Sequence, residues 1–212
     1  MLIRLFNAFV KITGFPAAFF CFRTKVYYEN KAVQSRRIKG PAILISNHTS
    51  VFDYAVYLFV FFLRTLRVQM AELLFQKKVL GPFLRMLGGI FVDRNTHDFG
   101  FISKSLDLLK KGWVVGVFPE SRIPLPEEER PLPFKTSAAY LALASGVPVI
   151  PVYTNGSYFK KKRAEVLIGT PIDVRAIEDP ALSEKENLAR VTNAMREKII
   201  SLEKLYHEQS EK

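Results

Sequence analysis

Cysteine and histidine are scarce in this chain of 212 residues. There is one cysteine, Cys21, and the three histidines, His48, His97 and His207, lie far apart along the sequence. A single cysteine excludes an intrachain disulfide and any zinc or iron–sulfur site that needs several thiolates. No ligand-spacing motif joins the histidines. We therefore expect neither a resident metal nor another cofactor.

Acidic residues are in the minority, with 20 Asp and Glu against 31 Lys and Arg and a formal net charge of +11. This excess favours anionic partners, either nucleic acid or anionic lipid. Tryptophan occurs once but phenylalanine 18 times, which is more apolar aromatic surface than a core of this size needs and favours lipid. The basic runs at 36–39 and 160–163 lack interleaved aromatic residues, so we expect no nucleic-acid partner.

The N-terminal segment has no uncharged run long enough to cross a bilayer. Its longest, residues 12–22, has 11 residues, whereas a spanning helix needs about 20. No small-residue cleavage site follows it, which argues against a signal peptide. Two interpretations stay open, a membrane-interface helix or helix pair and packing on the protein's own core. We assign residues 1–24 to a membrane-interface helical segment. Its phenylalanines are Phe6, Phe9, Phe15, Phe19, Phe20 and Phe22.

The remaining residues, 25–212, alternate short apolar runs with helical patterns. The predicted strands are 41–46, 68–70, 89–92, 114–118 and 149–153. The predicted helices are 54–63, one that carries Leu73, Leu74, Leu80, Leu84 and Leu87, 101–111, 138–145 and a last helix that begins at Ser183. This alternation predicts an α/β fold with a largely parallel, mixed sheet covered by helices on both faces.

A proline-rich segment follows the fourth predicted strand. Residues 123–133 contain four prolines and four charged side chains. Proline cannot donate to a sheet ladder and the charges need water, so the segment is predicted to be an extended surface loop. Because it follows a strand end, it borders the edge of the sheet where α/β proteins bind ligands.

His48 is the histidine that directly follows a predicted buried strand. Imidazole is well suited to proton transfer near neutral pH, and Asp53 could orient it if His48 lies in the turn and Asp53 in the first turn of the next helix. Ser50 and Asp53 also match a helix capping box, which would explain Asp53 without chemistry. A nucleophilic triad with Ser46 or Ser50 is a further alternative, but no Gly-x-Ser-x-Gly motif supports it.

Further charged residues follow the other predicted strands. Asp93 and Arg94 follow the third strand, Glu120 and Arg122 follow the fourth, and Lys135 follows the proline-rich loop. Cations and a carboxylate at one edge of a parallel sheet would suit a phosphorylated polyol, with the arginines on the phosphate and Glu120 accepting from a hydroxyl. The alternative is ordinary ion pairing on the surface.

Four sequence blocks follow one another in order along the chain: NHxxxxD at 47–53, GIFVDR at 89–94, FPESR at 118–122 and VPVIPV at 147–152. Together they resemble the glycerolipid acyltransferases of the lysophosphatidic acid acyltransferase type. The resemblance covers about residues 25–175, and the apolar N-terminal segment looks like the membrane-docking helices of that family. Residues 25–212 would then form one acyltransferase domain.

This resemblance implies transfer of a fatty acyl group from acyl-CoA or acyl carrier protein to the free hydroxyl of lysophosphatidic acid (1-acylglycerol-3-phosphate), at the cytoplasmic face of an anionic membrane. His48 would be the general base and Asp53 its orienter. The acceptor-binding residues would be Arg94, Glu120 and Arg122 on the glycerol phosphate, Lys135 as a further phosphate contact, and Pro151 shaping the pocket.

The chain departs from the family pattern at two places. Ser121 replaces the glycine that usually follows Phe-Pro-Glu, and Ser137 replaces the glycine of a Phe-Lys-x-Gly block. Glycine allows a positive φ and a close approach of the backbone to a ligand, so these serines could reshape the acceptor pocket. The acceptor could therefore be another lysophospholipid or glycerol 3-phosphate. A non-enzymatic protein that binds anionic lipid is the alternative of a different class.

Overall fold

The computed structural model of the chain describes residues 1–93, 99–159 and 163–210. Its strands are β1 (Lys25–Tyr28), β2 (Ala42–Ser46), β3 (Leu66–Ala71), β4 (Ile90–Val92), β5 (Val114–Val117), β6 (Val149–Thr154) and β7 (Glu165–Ile168). Its helices are α1 (Leu2–Phe22), α2 (Asp53–Val60), α3 (Glu72–Phe75), α4 (Leu80–Leu87), α5 (Gly100–Lys110), α6 (Ser137–Ser145) and α7 (Glu184–Ser210).

The strands form one sheet with the order β1-β7-β6-β2-β5-β3-β4. The five strands from β6 to β4 are parallel to one another. Strand β7 pairs antiparallel to β6, and β1 pairs parallel to β7, so these two run in the opposite direction. The prediction of a largely parallel, mixed sheet is confirmed.

Helices cover both faces of the sheet. On one face α5, α6 and α7 pack over side chains such as Ile43 and Ile45 of β2. On the other face α1, α2 and α4 pack over Ala42 and Leu44 of the same strand. All five residues of β2 are buried because the strand lies in the middle of the sheet and is covered twice. The carboxyl ends of β2, β5 and β6 consequently meet at one edge.

The structure differs from the sequence prediction at three elements. The predicted helix through Leu73 and Leu87 is two helices, α3 and α4, and Gly81 lies so close to the end of α3 that a Cβ atom there would be 2.2 Å from the carbonyl oxygen of Phe75. Strands β1 and β7 were not predicted. Each has four residues. They are neighbours in the sheet although they are far apart in the sequence, as the pairing of Lys25 with Glu165 shows.

Helix α1 packs along the body against α2 and α4, and its buried residues are Asn7, Lys11, Ala18 and Phe22. By length and apolar composition it could also cross a membrane. Its exposed apolar side chains are Leu2, Leu5, Phe9, Ile12, Phe15, Phe19 and Phe20. Phe22 packs on the core, whereas most of the other phenylalanines of α1 are exposed. The membrane-interface interpretation stays a prediction. The division of the chain at residue 24 stays a prediction.

Helix α7 and the proline-rich loop match their predictions. Ser183 and Glu186 form the capping box, in which the Ser183 N–H donates to Glu186 Oε2 at 2.9 Å and the Glu186 N–H donates to Ser183 Oγ at 3.3 Å. An apolar stripe of α7 packs on the sheet, with Val191, Met195, Ile199 and Leu202 in the core. Residues 123–133 contain no helix or strand.

Candidate active site

The turn after β2 brings His48 and Asp53 together. The Nδ1 atom of His48 lies 2.8 Å from Oδ2 of Asp53, which is the first residue of α2. The side chain of His48 is 19% exposed, whereas that of Asp53 is fully buried. When Nδ1 carries the proton and donates to the carboxylate, Nε2 keeps the lone pair that can accept a proton. The pair is therefore arranged as a general base and its orienting carboxylate.

Asp53 accepts five hydrogen bonds, which compensate for the loss of hydration of a buried carboxylate. Besides His48, the donors are the N–H and Oγ1 of Thr49, the N–H of Ser50 at 3.0 Å, and the hydroxyl of Tyr158 at 2.7 Å. The Ser50–Asp53 capping box is not formed: α2 begins at Asp53 after Phe52, and the Asp53 N–H donates to the backbone carbonyl of Ser50 at 3.1 Å rather than to its side chain. The geometry fits the orienting interpretation of Asp53, whose role stays a prediction.

Tyr158 is a site residue that sequence reasoning missed. It lies four residues beyond β6, is buried, and its hydroxyl also contacts Thr154 Oγ1 at 2.9 Å. Burial and the Asp53 charge raise the pKa of Tyr158, so the hydroxyl stays protonated and remains a donor. The sequence offered one signal for Tyr158. It follows the predicted strand 149–153, whose end lies at the edge of the sheet where α/β proteins bind ligands.

Asn47 locks the ends of two strands together beside His48. Its Nδ2 donates to the carbonyl of Thr154 at 2.9 Å, and its Oδ1 accepts from the Thr154 N–H at 2.9 Å. This pair of bonds continues the ladder between β2 and β6 through a side chain. The turn that carries His48 is therefore fixed to the neighbouring strand.

Glu120 supports the same turn from the end of β5. Its Oε1 accepts from the backbone N–H of His48 at 2.7 Å, and its Oε2 accepts from the backbone N–H of Leu132 at 2.8 Å. Glu120 is 3% exposed, and burial raises its pKa against the opposing effect of the two N–H donors. The carboxylate thus connects the histidine turn to the proline-rich loop.

An aromatic stack fixes the plane of the histidine ring. The ring of Phe118 lies parallel to the His48 imidazole, with centroids 4.3 Å apart. Phe118 in turn stacks on Tyr57 of α2. With Nδ1 held by Asp53 and one face held by Phe118, the ring has a single orientation.

The other predicted acceptor residues that the structure describes, Arg122, Lys135 and Pro151, lie in three different settings. Arg122 is half exposed and forms a bidentate pair with Glu128, from Nη1 to Oε2 at 2.6 Å and from Nη2 to Oε1. This hydrogen bonding lowers the pKa of Glu128 to about 2. Lys135 is exposed at the end of the same loop. Arg94 lies outside the described residues.

Pro151 lies inside β6 and is fully enclosed by the sheet and α7. It pairs with Ile45 of β2, and its carbonyl accepts from the N–H of Gly169 at 2.9 Å. Residues 149 and 153 on the same side of the strand pack under α7. Pro151 thus lies opposite Ile45, three residues before His48, and its role in shaping the acceptor pocket stays a prediction.

Ser121 has a left-handed backbone conformation, with φ at 61°. This is the position where the resembling family has glycine. A side chain in this region costs about 1 kcal/mol relative to glycine. The backbone turn thus keeps the glycine-like shape although the residue is serine.

Exposed apolar rings adjoin the histidine turn. Phe52 contacts Phe159 with centroids 4.8 Å apart, and Phe159 contacts Phe22 at the end of α1 at 5.1 Å. Phe52 and Phe159 are 44% and 55% exposed. The edge of the site is therefore continuous with the apolar side of α1. In the described ranges, no three His, Cys, Asp or Glu side chains are grouped as metal ligands.

Comparison with solved structures identifies a similar fold. The crystal structure of the 1-acyl-sn-glycerophosphate (LPA) acyltransferase PlsC from Thermotoga maritima superposes with a TM-score of 0.68 over 96% of this chain and 79% of that chain. The two sequences are 22% identical. At this identity the likeness shows the fold.

Sequence comparison finds relatives that are named 1-acyl-sn-glycerol-3-phosphate acyltransferase. The Bacillus subtilis protein is 31% identical over 135 residues, which are 61% of this chain and 65% of that protein. The human beta form is 28% identical over 145 residues, 65% of this chain and 50% of that protein. The chain thus matches less than two thirds of the length of either relative. A sequence model of the Acyltransferase family matches residues 23–155, which is more than half of the chain, and the chain therefore belongs to the Acyltransferase family.

Proposed function

We propose that the protein is an O-acyltransferase that moves a fatty acyl group from acyl-CoA or acyl carrier protein to the free hydroxyl of 1-acylglycerol-3-phosphate, giving phosphatidic acid. The observation that carries the proposal is the 2.8 Å contact between His48 Nδ1 and the buried Asp53 carboxylate. Family membership and the names of the relatives support the reaction and the acceptor class.

In the proposed reaction His48 Nε2 removes the proton from the acceptor hydroxyl. The hydroxyl oxygen attacks the thioester carbonyl carbon, and the new C–O bond forms as the C–S bond breaks. The thiolate leaves and takes the proton back from Nε2, so the base is regenerated. Asp53 holds the proton on Nδ1 throughout and stabilises the transient imidazolium.

The acceptor phosphate is proposed to bind beside the proline-rich loop. Arg122 supplies a guanidinium fork there, and it must exchange Glu128 for the phosphate when the acceptor binds. Arg94 and Lys135 are proposed as further cations. Glu120 acts by fixing the His48 turn, because each of its oxygens accepts a backbone N–H.

Membrane association is proposed to come from α1. Its exposed leucine and phenylalanine side chains form one apolar side that reaches from the helix start to the rings beside the active site. An interfacial helix with this side in the lipid would bring His48 to the membrane surface, where the lysolipid acceptor resides. We assign this surface to the cytoplasmic face, where acyl-CoA and acyl carrier protein occur.

The test is thiol release from acyl-CoA and from acyl carrier protein, with and without lysophosphatidic acid, by the wild type and by His48→Ala. We expect acceptor-dependent release to fall about a thousandfold in His48→Ala, the scale of losing a general base. His207→Ala is the matched control, because His207 is exposed on α7 and its loss should leave the rate unchanged.

Two results would contradict the proposal. If His48→Ala folds and keeps more than a tenth of the wild-type rate, His48 is not the base. If neither donor releases thiol with lysophosphatidic acid, with another lysophospholipid or with glycerol 3-phosphate, the protein is not an acyltransferase of this class. Release with one of the other acceptors would correct the acceptor and keep the reaction.

A further inference from the structure

A cationic cavity lies at the edge of the sheet opposite to His48. Its volume is about 320 Å³, and it lies between α1 and the loops that lead into β3 and β5. Three of its lining residues are basic, Arg4, Lys11 and Arg64, and none of its described lining residues is acidic. Like charges collected in one cavity without a countercharge repel one another, so the cavity favours an anion.

Lys11 supplies charge but no free donor. Its Nζ donates to three backbone carbonyls, those of Phe61 at 3.2 Å, Phe62 at 2.9 Å and Arg64 at 2.7 Å. All three ammonium protons are thus used at the end of α2. Within the described ranges Lys11 has no carboxylate partner. Its positive charge is fixed in the cavity wall.

The guanidinium groups of Arg4 and Arg64 keep donors available. Arg64 Nη2 donates to the carbonyls of Gly40 at 2.6 Å and Gly112 at 3.0 Å, and no bond from its Nη1 is found among the described residues. Arg4 is exposed and lies over the ring of Trp113, with 4.6 Å from its Cζ to the ring centroid. The guanidinium of Arg4 likewise makes no hydrogen bond or ion pair in the described part of the chain.

Two buried atoms in the same wall are also unpaired. Asn7 Oδ1 and Arg64 Nε have no hydrogen-bond partner among the described residues. Buried polar groups without partners are rare in proteins, and each one costs free energy until a ligand or water completes it. Of the two, Arg64 Nε is a donor that an anion can complete, whereas Asn7 Oδ1 is an acceptor that needs a donor such as water. The unpaired arginine donor is therefore the observation that favours an anion.

The rim of the cavity is apolar. Phe62 and Leu63 line it and are 38% and 69% exposed. The ring of Phe62 contacts Phe15 on the exposed side of α1. Basic groups enclosed by an apolar rim match the phosphate and the adjoining hydrocarbon of a lipid at a membrane surface better than a freely diffusing ion.

We propose that this cavity, lined by Arg4, Lys11, Arg64 and Trp113, binds the phosphate headgroup of an anionic phospholipid and so fixes the start of α1 on the membrane. The bound lipid is separate from the substrates of the His48 site, because the cavity opens at the amino ends of the parallel strands. Its binding is independent of acyl transfer and can be measured without it.

Trp113 provides the readout, because it is the one tryptophan in the chain and lines the cavity. The full-length protein is titrated with dihexanoyl phosphatidylglycerol below its micelle concentration while tryptophan fluorescence is recorded. We expect a saturable change. Dihexanoyl phosphatidylcholine, with the same chains and no net charge, and inorganic phosphate should each bind at least about tenfold more weakly, since one lacks net charge and the other lacks the chains.

Two substitutions test the assignment. Arg4→Gln should weaken phosphatidylglycerol binding about tenfold, the scale of one charge-assisted phosphate contact. Ala8 is an exposed lining residue, so Ala8→Glu places a carboxylate beside Arg4 without removing any native bond and should weaken binding by a similar factor. Ala8→Gln has the same size without the charge and should bind like the wild type. Lys104→Gln, which removes an exposed charge from α5, should also bind like the wild type.

The proposal is overturned if Arg4→Gln and Ala8→Glu both bind as tightly as the wild type, or if Ala8→Gln and Lys104→Gln lose as much as they do. Equal affinity for phosphatidylcholine would show that the chains alone bind. Equal or tighter affinity for inorganic phosphate would make this a site for a soluble anion and would overturn the lipid assignment. No saturable change with phosphatidylglycerol would leave the cavity without the proposed ligand.

Discussion

Helices α1 and α7 cover opposite faces of the same sheet but bury different kinds of side chain. Helix α7 buries an apolar stripe that includes Met195 and Leu202. Helix α1 buries Asn7 and Lys11 besides Ala18 and Phe22, and it leaves most of its leucine and phenylalanine side chains exposed. The apolar residues of α7 are buried in the core, as expected for a surface helix. Few of the apolar residues of α1 are buried there.

The two helices are also attached differently. Lys11 donates to carbonyls at the end of α2, and Asn7 Nδ2 donates to the Leu87 carbonyl at the end of α4 at 2.8 Å. Helix α1 thus uses polar side chains to satisfy the free carbonyls of two helix ends. This attachment leaves the apolar side of α1 exposed, where it can contact an apolar medium other than the protein core. The sequence pattern of a helix thus shows which side is apolar, but not what that side faces.

The largest expected difference comes from the same substitution in the two helices. Leu202→Ala, at a fully buried position of α7, should lower the free energy of unfolding by about 3 kcal/mol, because it removes buried methyl groups and leaves a cavity. Leu5→Ala, at a position of α1 that is 58% exposed, should change it by less than about 0.5 kcal/mol. Urea unfolding measures both. Equal losses would show that the exposed side of α1 packs on the protein.

A second substitution tests the polar attachment of α1. Lys11→Met keeps the length of the side chain but leaves three carbonyls without their donor, which should lower the free energy of unfolding by about 2 kcal/mol. Burial lowers the pKa of Lys11 to about 8, so burying its charge opposes this effect. Chemical denaturation of the wild type and of Lys11→Met at pH 7 shows whether losing the hydrogen bonds or removing the buried charge has the larger effect on stability. A more stable Lys11→Met variant would mean that the cost of the buried charge exceeds the value of the bonds.

The apolar side of α1 should affect membrane binding more than stability. Phe19→Ala removes a ring that is 60% exposed and should weaken binding to phosphatidylcholine vesicles that contain phosphatidylglycerol about tenfold, the scale of one buried aromatic side chain. Tyr140→Ala is the control, because Tyr140 is 41% exposed on α6, over the opposite face of the sheet. Vesicle sedimentation gives the partition coefficients. If the two variants bind vesicles equally well, the exposed side of α1 does not contribute to membrane binding.

The smallest expected effect on stability concerns Lys198 of α7. Lys198 donates to Glu29 Oε1 at 2.6 Å. Burial raises the pKa of Glu29, but the bonds from Lys198 and Thr170 outweigh this and leave the pKa below its usual value of 4.5. The carboxylate therefore stabilises the fold above pH 4.5, and this contribution is lost as the pH falls through the lowered pKa.

Lys198→Met should remove the part of that contribution that comes from Lys198, a change of less than about 1 kcal/mol for side chains that are 23% and 26% exposed. The difference in unfolding free energy between wild type and variant should be present at pH 6 and shrink as the solution is acidified below 4.5. A difference that stays constant between pH 6 and pH 3 would show that the pair does not titrate with folding.

The parallel strands and most helix bounds could be predicted because their signals are local. Buried runs such as the one in β2 and the capping box at Ser183 need only a few neighbouring residues. The His48 and Asp53 pair is local too, since the two residues are five positions apart in one turn. The α3–α4 break is local too, but it was missed because the leucines on both sides of it fit one helical pattern; the close approach of Gly81 to the Phe75 carbonyl is visible only in the folded chain.

The amino-acid sequence by itself determined the α/β alternation, the five-residue spacing of the histidine and its carboxylate, and an N-terminal helix with an apolar side. Tertiary structure alone decided the partners that come from far along the chain. Tyr158 reaches Asp53 across 105 residues, and β1 pairs with β7 although neither has a strong signal of its own. The inward side of α1 depends on carbonyls at the ends of α2 and α4, which exist only once those helices have formed and packed. Local spacing fixes local geometry, whereas long-range contacts depend on the whole sheet being assembled.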